Sequence, residues 1–348
     1  MNIIVGASIP DASGRPVGRR LLRGHLVEGV SMITLDDIER AKSQISPFVR
    51  RTILEKNTTL SQQLGTNVYL KLELFQRTGS FKPRGAFNQI LQLTPEQRKH
   101  GVVGVSGGNF AQGLALAGRE LDTPAIVCMS ESTPRNYIEA TQSYGARVVL
   151  SPSLPEVFAK ADKFKQEGWN LLHPFDNPFQ MAGAGTIGLE ILEDLPEVTD
   201  VFISIGGGGL FTGIAVAIKV LKSEVRIWGV ETEGSDTMGQ ALRAGKVVQI
   251  VPKSLAKTLG SPYVAEDALT LMQKHPERNL LVSDKEAFDA GVFLLERAKL
   301  NTELAASCTL AAARRLKGKF TRQDHVVLLI CGGNNSLENW IHYREILG

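Results

Sequence analysis

The sequence predicts an α/β protein built on twisted, mostly parallel sheets with helices on both faces. Two observations carry this. From Met32 onward, short apolar runs rich in β-branched residues alternate with segments of helical period, and most of the runs are apolar on both faces, as strands covered on each side must be. Each glycine-rich segment that bears chemistry follows or closes such a run, the position at which α/β folds bind ligands.

The elements follow in order. Strands are expected at 102–105, 125–129, 148–150, 201–205, 227–230 and 326–330. Helices are expected at 110–121, 135–144, 187–195, 211–221 and 287–299. Strand followed by helix followed by strand is the pattern of parallel pairing. The runs near 102, 126 and 148 read as a small domain over 100–176, inserted into a larger domain formed by 32–99 and 177–348. Residues 1–31 differ: arginines outnumber acids and apolar periodicity is poor, which reads as a flexible extension rather than a targeting segment, since Ser is scarce and no amphipathic helix emerges.

Composition excludes several classes. The 348 residues are 43% apolar and 22% charged, enough for well-filled cores and unlike a disordered chain or a disulfide-stapled mini-protein. The 39 basic and 36 acidic side chains are interspersed, so no basic field points to nucleic acid. No apolar run reaches the roughly 18 residues of a membrane span. Cys128, Cys308 and Cys331 are scattered, which reads as free thiols in a reducing, cytoplasmic setting. The six histidines form no HxxxH pair that would suit zinc.

Four segments carry chemistry. In Ser204-Ile205-Gly206-Gly207-Gly208-Gly209-Leu210, successive glycines leave backbone N–H groups uncovered between a strand and a helix start, which suits a phosphate dianion. No Gly-Lys-Ser/Thr follows, so this is not a Walker A loop. In Thr78-Gly79-Ser80-Phe81-Lys82-Pro83-Arg84-Gly85-Ala86, Lys82 sits between Phe81 and Pro83; a desolvated lysine has a lowered pKa and attacks carbonyls. A carbonyl-seeking lysine beside a phosphate cradle points to pyridoxal 5'-phosphate. Ser106-Gly107-Gly108-Asn109-Phe110 also closes a strand and opens a helix, and suits a substrate carboxylate. Cys331-Gly332-Gly333-Asn334 places a thiol at the end of a buried strand.

Together these segments resemble the signature of fold type II pyridoxal-phosphate enzymes, and within them the serine/threonine dehydratases (ammonia-lyases). The resemblance runs from about Ile33 to the C-terminus, roughly nine tenths of the chain. It implies a two-domain fold, with Lys82 as the Schiff-base lysine and Gly206, Gly207, Gly208 and Gly209 as the phosphate loop. Phe81 and Leu210 flank these motifs and count with the cofactor-binding set. Asn109 is implied to contact the cofactor's ring oxygen, Cys331 to face its pyridine nitrogen, and Glu303 to lie near the ring. Ser106, Gly107, Gly108, Asn109 and Phe110 are implied to hold the substrate. His173-Pro174-Phe175-Asp176 and Gly183-Ala184-Gly185-Thr186 resemble family landmarks and read as walls. A homodimer is implied as well.

Departures from the pattern matter too. Phe110 stands where dehydratases commonly have His, which adds apolar bulk and points to a larger β-substituent. Gly107 stands where related racemases carry a serine, which disfavours racemisation. Leu304 replaces a common proline after Glu303. Of the family's site for a divalent or monovalent cation, Glu231 matches and Ser235 offers a carbonyl, but Thr237 replaces a carboxylate. The expected activity is the dehydration of a β-hydroxy amino acid of the serine, threonine or phenylserine type to a 2-oxo acid and ammonia. A racemase or β-replacement enzyme on the same scaffold and a non-catalytic ligand-binding homologue are the alternatives.

Overall fold

The computed structural model describes residues 32–348, and the expected extension over 1–31 lies outside the described residues. Among them are the strands β1 (Leu54–Lys56), β2 (Asn67–Lys71), β3 (Val102–Val105), β4 (Ala125–Ser130), β5 (Arg147–Ser151), β6 (Asn170–Leu172), β7 (Asp200–Ser204), β8 (Arg226–Thr232), β9 (Asn279–Val282) and β10 (His325–Leu329). They form a six-stranded sheet, β1-β2-β10-β7-β8-β9, and a four-stranded sheet, β5-β4-β3-β6. Only the β1–β2 edge pair is antiparallel. At the centre of the larger sheet Val327 lies opposite Tyr69 on one side and Val201 on the other.

All six runs read as strands are strands, with ends shifted by a residue or two. β1, β2, β6 and β9 were not read from sequence. Three of them are sheet edges, and β2 carries Asn67 and Lys71, so none shows the unbroken apolar run of a doubly covered strand. Helix Pro178–Asp194 starts nine residues before its expected beginning. Its first turns are Met-Ala-Gly-Ala-Gly and lack a helical period because they pack backbone to backbone on helix Gly209–Leu221: a Cβ on Gly213 would lie 2.2 Å from the carbonyl of Met181. The expected helix 287–299 is helix Asp284–Phe293 followed by one wide turn, Leu294–Ala298.

The core of the smaller sheet is not made by residues 100–176 alone. Ile45, Ala86, Phe87 and Ile90 pack there with Phe110, Leu114, Leu116 and Val127. Helix Lys82–Leu91 therefore lies along the seam between the two sheets, against helix Asn109–Glu120, although its sequence position had assigned it to the larger unit. Its first residue is Lys82.

Candidate active site

The chain leading into Lys82 is pinned to the end of β10. Ser80 pairs with Gly332 in an isolated antiparallel bridge, and Phe81 N–H donates to the Cys331 carbonyl at 3.1 Å. Pro83 follows in the first turn of the helix, where a missing N–H costs nothing. Half-buried Lys82 points its Nζ at the Pro174 carbonyl, 2.6 Å away, with the ring of Phe81 centred 4.9 Å from it and that of Phe110 5.9 Å. Burial lowers its pKa to about 8, opposed by the nearby Cys331 and Glu303.

Two residues on, Arg84 anchors the same helix from below. Its guanidinium donates to Glu73 at 2.8 and 2.9 Å and to Glu190 at 2.6 and 3.0 Å, and buried Lys71 donates to Glu190 at 2.6 Å. Every charge in this cluster is paired, which is the condition for charges to sit out of water. Arg84 lies within the lysine motif, but its partners Glu73 and Glu190 were not singled out; two carboxylates more than a hundred positions apart leave no local signal.

Backbone donors face the same seam. The N–H groups of Gly206, Gly207, Gly208, Gly209 and Leu210 find no acceptor among the described residues. Gly208 holds φ at +88°, a conformation that suits glycine and lets the loop turn its donors into one concavity at the start of a 13-residue helix. The ring of Phe175, next to Pro174, lies on Gly207 and ties this loop to the segment that receives Lys82. At the second loop, Ser106 Oγ accepts from Gly108 N–H at 3.2 Å, while the N–H groups of Gly107, Asn109 and Phe110 have no acceptor among the described residues. The ring of Phe110 turns away from these donors into the core beside Gly104. Gly107 leaves room for Thr133, whose Oγ1 would be 2.8 Å from a Cβ at that position.

Asn109, Glu303, Cys331 and Asn334 converge. Asn109 Nδ2 donates to both oxygens of Glu303, at 2.9 and 3.0 Å, and Asn109 Oδ1 accepts from Asn334 Nδ2 at 2.8 Å. Burial raises the pKa of Glu303, opposed by the hydroxyl of Thr258, by Asn109 and by the N–H of Asn334. Cys331 Sγ lies 3.4 Å from Ser204 Oγ, and burial followed by the charge of Glu303 pushes its pKa up to about 12, so the thiol is neutral. On the other flank, His173 Nδ1 accepts from the N–H of Asp176 at 2.8 Å, leaving Nε2 toward Tyr263 Oη at 3.3 Å. Burial and Lys82 lower the pKa of His173 to about 4, so it is neutral as well. Ser204, Thr258, Tyr263 and Asn334 were not singled out from sequence. Ser204 was detectable, since it opens the tetraglycine run.

An amine of lowered pKa, a set of open N–H donors at a helix start and a neutral thiol nearby match an aldehyde that also carries a phosphate dianion. Residues 45–332 match the family described as pyridoxal-phosphate dependent enzyme. The chain belongs to that family. It is 40% identical over 309 residues to the L-threonine ammonia-lyase of Thermotoga maritima, covering 87% of this chain and 76% of that one. Among solved structures, it resembles the T.th. threonine deaminase (TM-score 0.82, 32% identity, 87% of this chain and 99% of that one) and maize serine racemase (TM-score 0.85, 29% identity, 91% and 98%). The two-sheet architecture is that of fold type II.

Glu231 and Ser235, the expected cation pair, lie buried beside the helix Thr237–Ala244. Glu231 accepts from Met238 N–H at 2.7 Å, Gly239 N–H at 2.8 Å and Asn279 Nδ2 at 2.9 Å, so both its oxygens cap the helix Thr237–Ala244 and its neighbour. Ser235 Oγ is buried without a partner, and no cluster of three or more His, Cys, Asp or Glu suited to a metal occurs among the described residues. No described helix is long and apolar enough to cross a membrane.

Proposed function

We propose that this chain is a pyridoxal-phosphate-dependent ammonia-lyase that converts a β-hydroxy amino acid of the serine/threonine/phenylserine type to a 2-oxo acid and ammonia. The observation that carries the reading is Lys82, an amine of lowered pKa set between open backbone donors and a neutral thiol. Its similarity to the Thermotoga maritima L-threonine ammonia-lyase supports the substrate class.

When bound, the cofactor supplies an aldehyde and a conjugated ring that accepts the electrons released when the Cα–H bond breaks. The chain's own residues do the rest. The N–H groups of Gly206 to Leu210 hold the phosphate, and those of Gly107, Asn109 and Phe110 hold the substrate carboxylate. Lys82 Nζ, near the middle of its titration at neutral to mildly basic pH, takes the α-proton. Cys331, as a neutral thiol, presents no charge that would keep a ring nitrogen protonated, so a long-lived carbanion is disfavoured and prompt loss of the β-hydroxyl is favoured. The α-hydrogen and β-hydroxyl leave as water, one water adds at Cα, and ammonia departs.

Two domains meeting at this seam, a homodimer and a cytoplasmic location complete the proposal; the three cysteines are free and buried, in keeping with a reducing compartment. The test is a screen of serine, threonine, phenylserine and hydroxyaspartate isomers for 2-oxo acid and ammonia, with borohydride trapping of the cofactor and mapping of the labelled residue. The reading predicts label on Lys82 and ammonia from at least one hydroxyamino acid. Label elsewhere, or no ammonia from a protein saturated with cofactor, overturns it.

A further inference from the structure

Thr258 lies outside every motif, in the short turn Lys257–Leu259 of the larger unit. It makes two contacts at the seam. Its Oγ1 donates to Glu303 Oε2 at 2.6 Å. Its methyl carbon would stand 3.6 Å from a Cβ placed on Gly108. One side chain thus bonds to a buried carboxylate of the larger unit and borders the donor loop of the smaller one.

Glu303 holds two other groups in place. It accepts from Asn109 Nδ2 through both oxygens, at 2.9 and 3.0 Å, and from Asn334 N–H at 3.0 Å, and Asn334 Nδ2 closes the ring by donating to Asn109 Oδ1 at 2.8 Å. The Asn109 amide therefore points where the carboxylate points. Thr258 is the only side-chain hydroxyl that donates to Glu303 among the described residues. A terminal carboxyl torsion is broad, so it takes a directed donor to hold it in one orientation.

We propose that Thr258 is a positioning residue whose hydroxyl sets the orientation of Glu303, and through it the Asn109 amide that meets the cofactor ring. This rests on the functional reading above. Two substitutions separate the contacts. Thr258→Val keeps the shape and the methyl group and removes the donor; Thr258→Ser keeps the donor and removes the methyl group.

The measurements are absorbance titration of the cofactor-free protein with pyridoxal phosphate, kcat and KM with the best hydroxyamino acid, and thermal melts to confirm folding. Thr258→Val is expected to weaken cofactor binding about tenfold and to lower kcat about tenfold, the scale of losing a hydrogen bond to a charged group, with KM changed less than about twofold. Thr258→Ser should stay within about twofold of the parent throughout. In a Glu303→Gln background, Thr258→Val should add less than about twofold, because the acceptor it served is already altered. If Thr258→Val does not fold, Thr258→Ala is measured in its place. The assignment fails if Val matches the parent, if Ser loses as much as Val, or if the Val loss persists in full beside Glu303→Gln. A parent protein that binds no cofactor overturns the functional reading together with this assignment; a parent that binds it and releases ammonia, while Val behaves identically, overturns this assignment alone.

Discussion

Replacing Lys82 by methionine should stabilise the cofactor-free protein at neutral pH while abolishing its chemistry. The lysine pKa falls from 10.5 to about 8 in the fold, chiefly through burial. At 1.36 kcal/mol per pH unit this corresponds to about 3 kcal/mol of destabilisation once the amine is protonated in both states. The sign follows from proton counting. Between pH 8 and 10.5 the unfolded chain binds the proton and the folded one does not, so stability rises with pH across that window; below pH 8 the penalty is constant. Residual solvent contact of the half-buried side chain trims the figure to about 2 kcal/mol. Methionine has similar length and no charge. Urea melts of cofactor-free parent and Lys82→Met at pH 7 and at pH 10.5 measure the effect: the variant should gain about 2 kcal/mol relative to the parent at the lower pH, compared with the higher. An equal difference at both pH values would refute the claim that desolvation tunes this amine.

Other expectations follow from the same contacts. Arg84→Met strands Glu73 in the interior and leaves Glu190 to Lys71 alone; it should cost about 3–5 kcal/mol in denaturant melts, the range for breaking a buried ion pair. Gly208→Ala forces a side chain onto φ +88° and against Ala268; it should weaken pyridoxal phosphate binding at least about tenfold while leaving pyridoxal, which lacks the phosphate, nearly unchanged in equilibrium dialysis. Gly107→Ser meets Thr133 Oγ1 and should lower kcat/KM, with partial recovery in Gly107→Ser/Thr133→Ala; no recovery would show that Thr133 is not the obstacle. Because Glu231 caps backbone N–H groups, adding magnesium or a chelator should shift the melting temperature by less than about 1 °C, and a larger shift would restore the cation site.

The doubly covered strands and the glycine loops at their ends were legible because their information is local. A run such as 201–205 must be apolar on both faces to lie in mid-sheet, and a tetraglycine turn needs no partner to declare its open donors. β1, β6 and β9 were not legible, since they are edge strands of only three or four residues with a polar residue among them, whereas the edge strand β5 showed its Val-Val-Leu run. The phenylalanine at 110 shows the limit within a motif: its place beside Asn109 was plain, but the direction of its ring, into the core beside Gly104, depends on how the helix packs.

The chain alone determined the layered α/β class and the cofactor family, and pointed to Lys82 as the lysine to test, because each is written in residues a few positions apart. Tertiary structure decided what surrounds that lysine. The pairing of Arg84 with Glu73 and Glu190 and the ring of bonds joining Asn109, Asn334 and Glu303 to Thr258 both join residues distant in sequence. Hydrogen bonds and desolvation act over a few ångströms, and only folding sets which distant groups come that close.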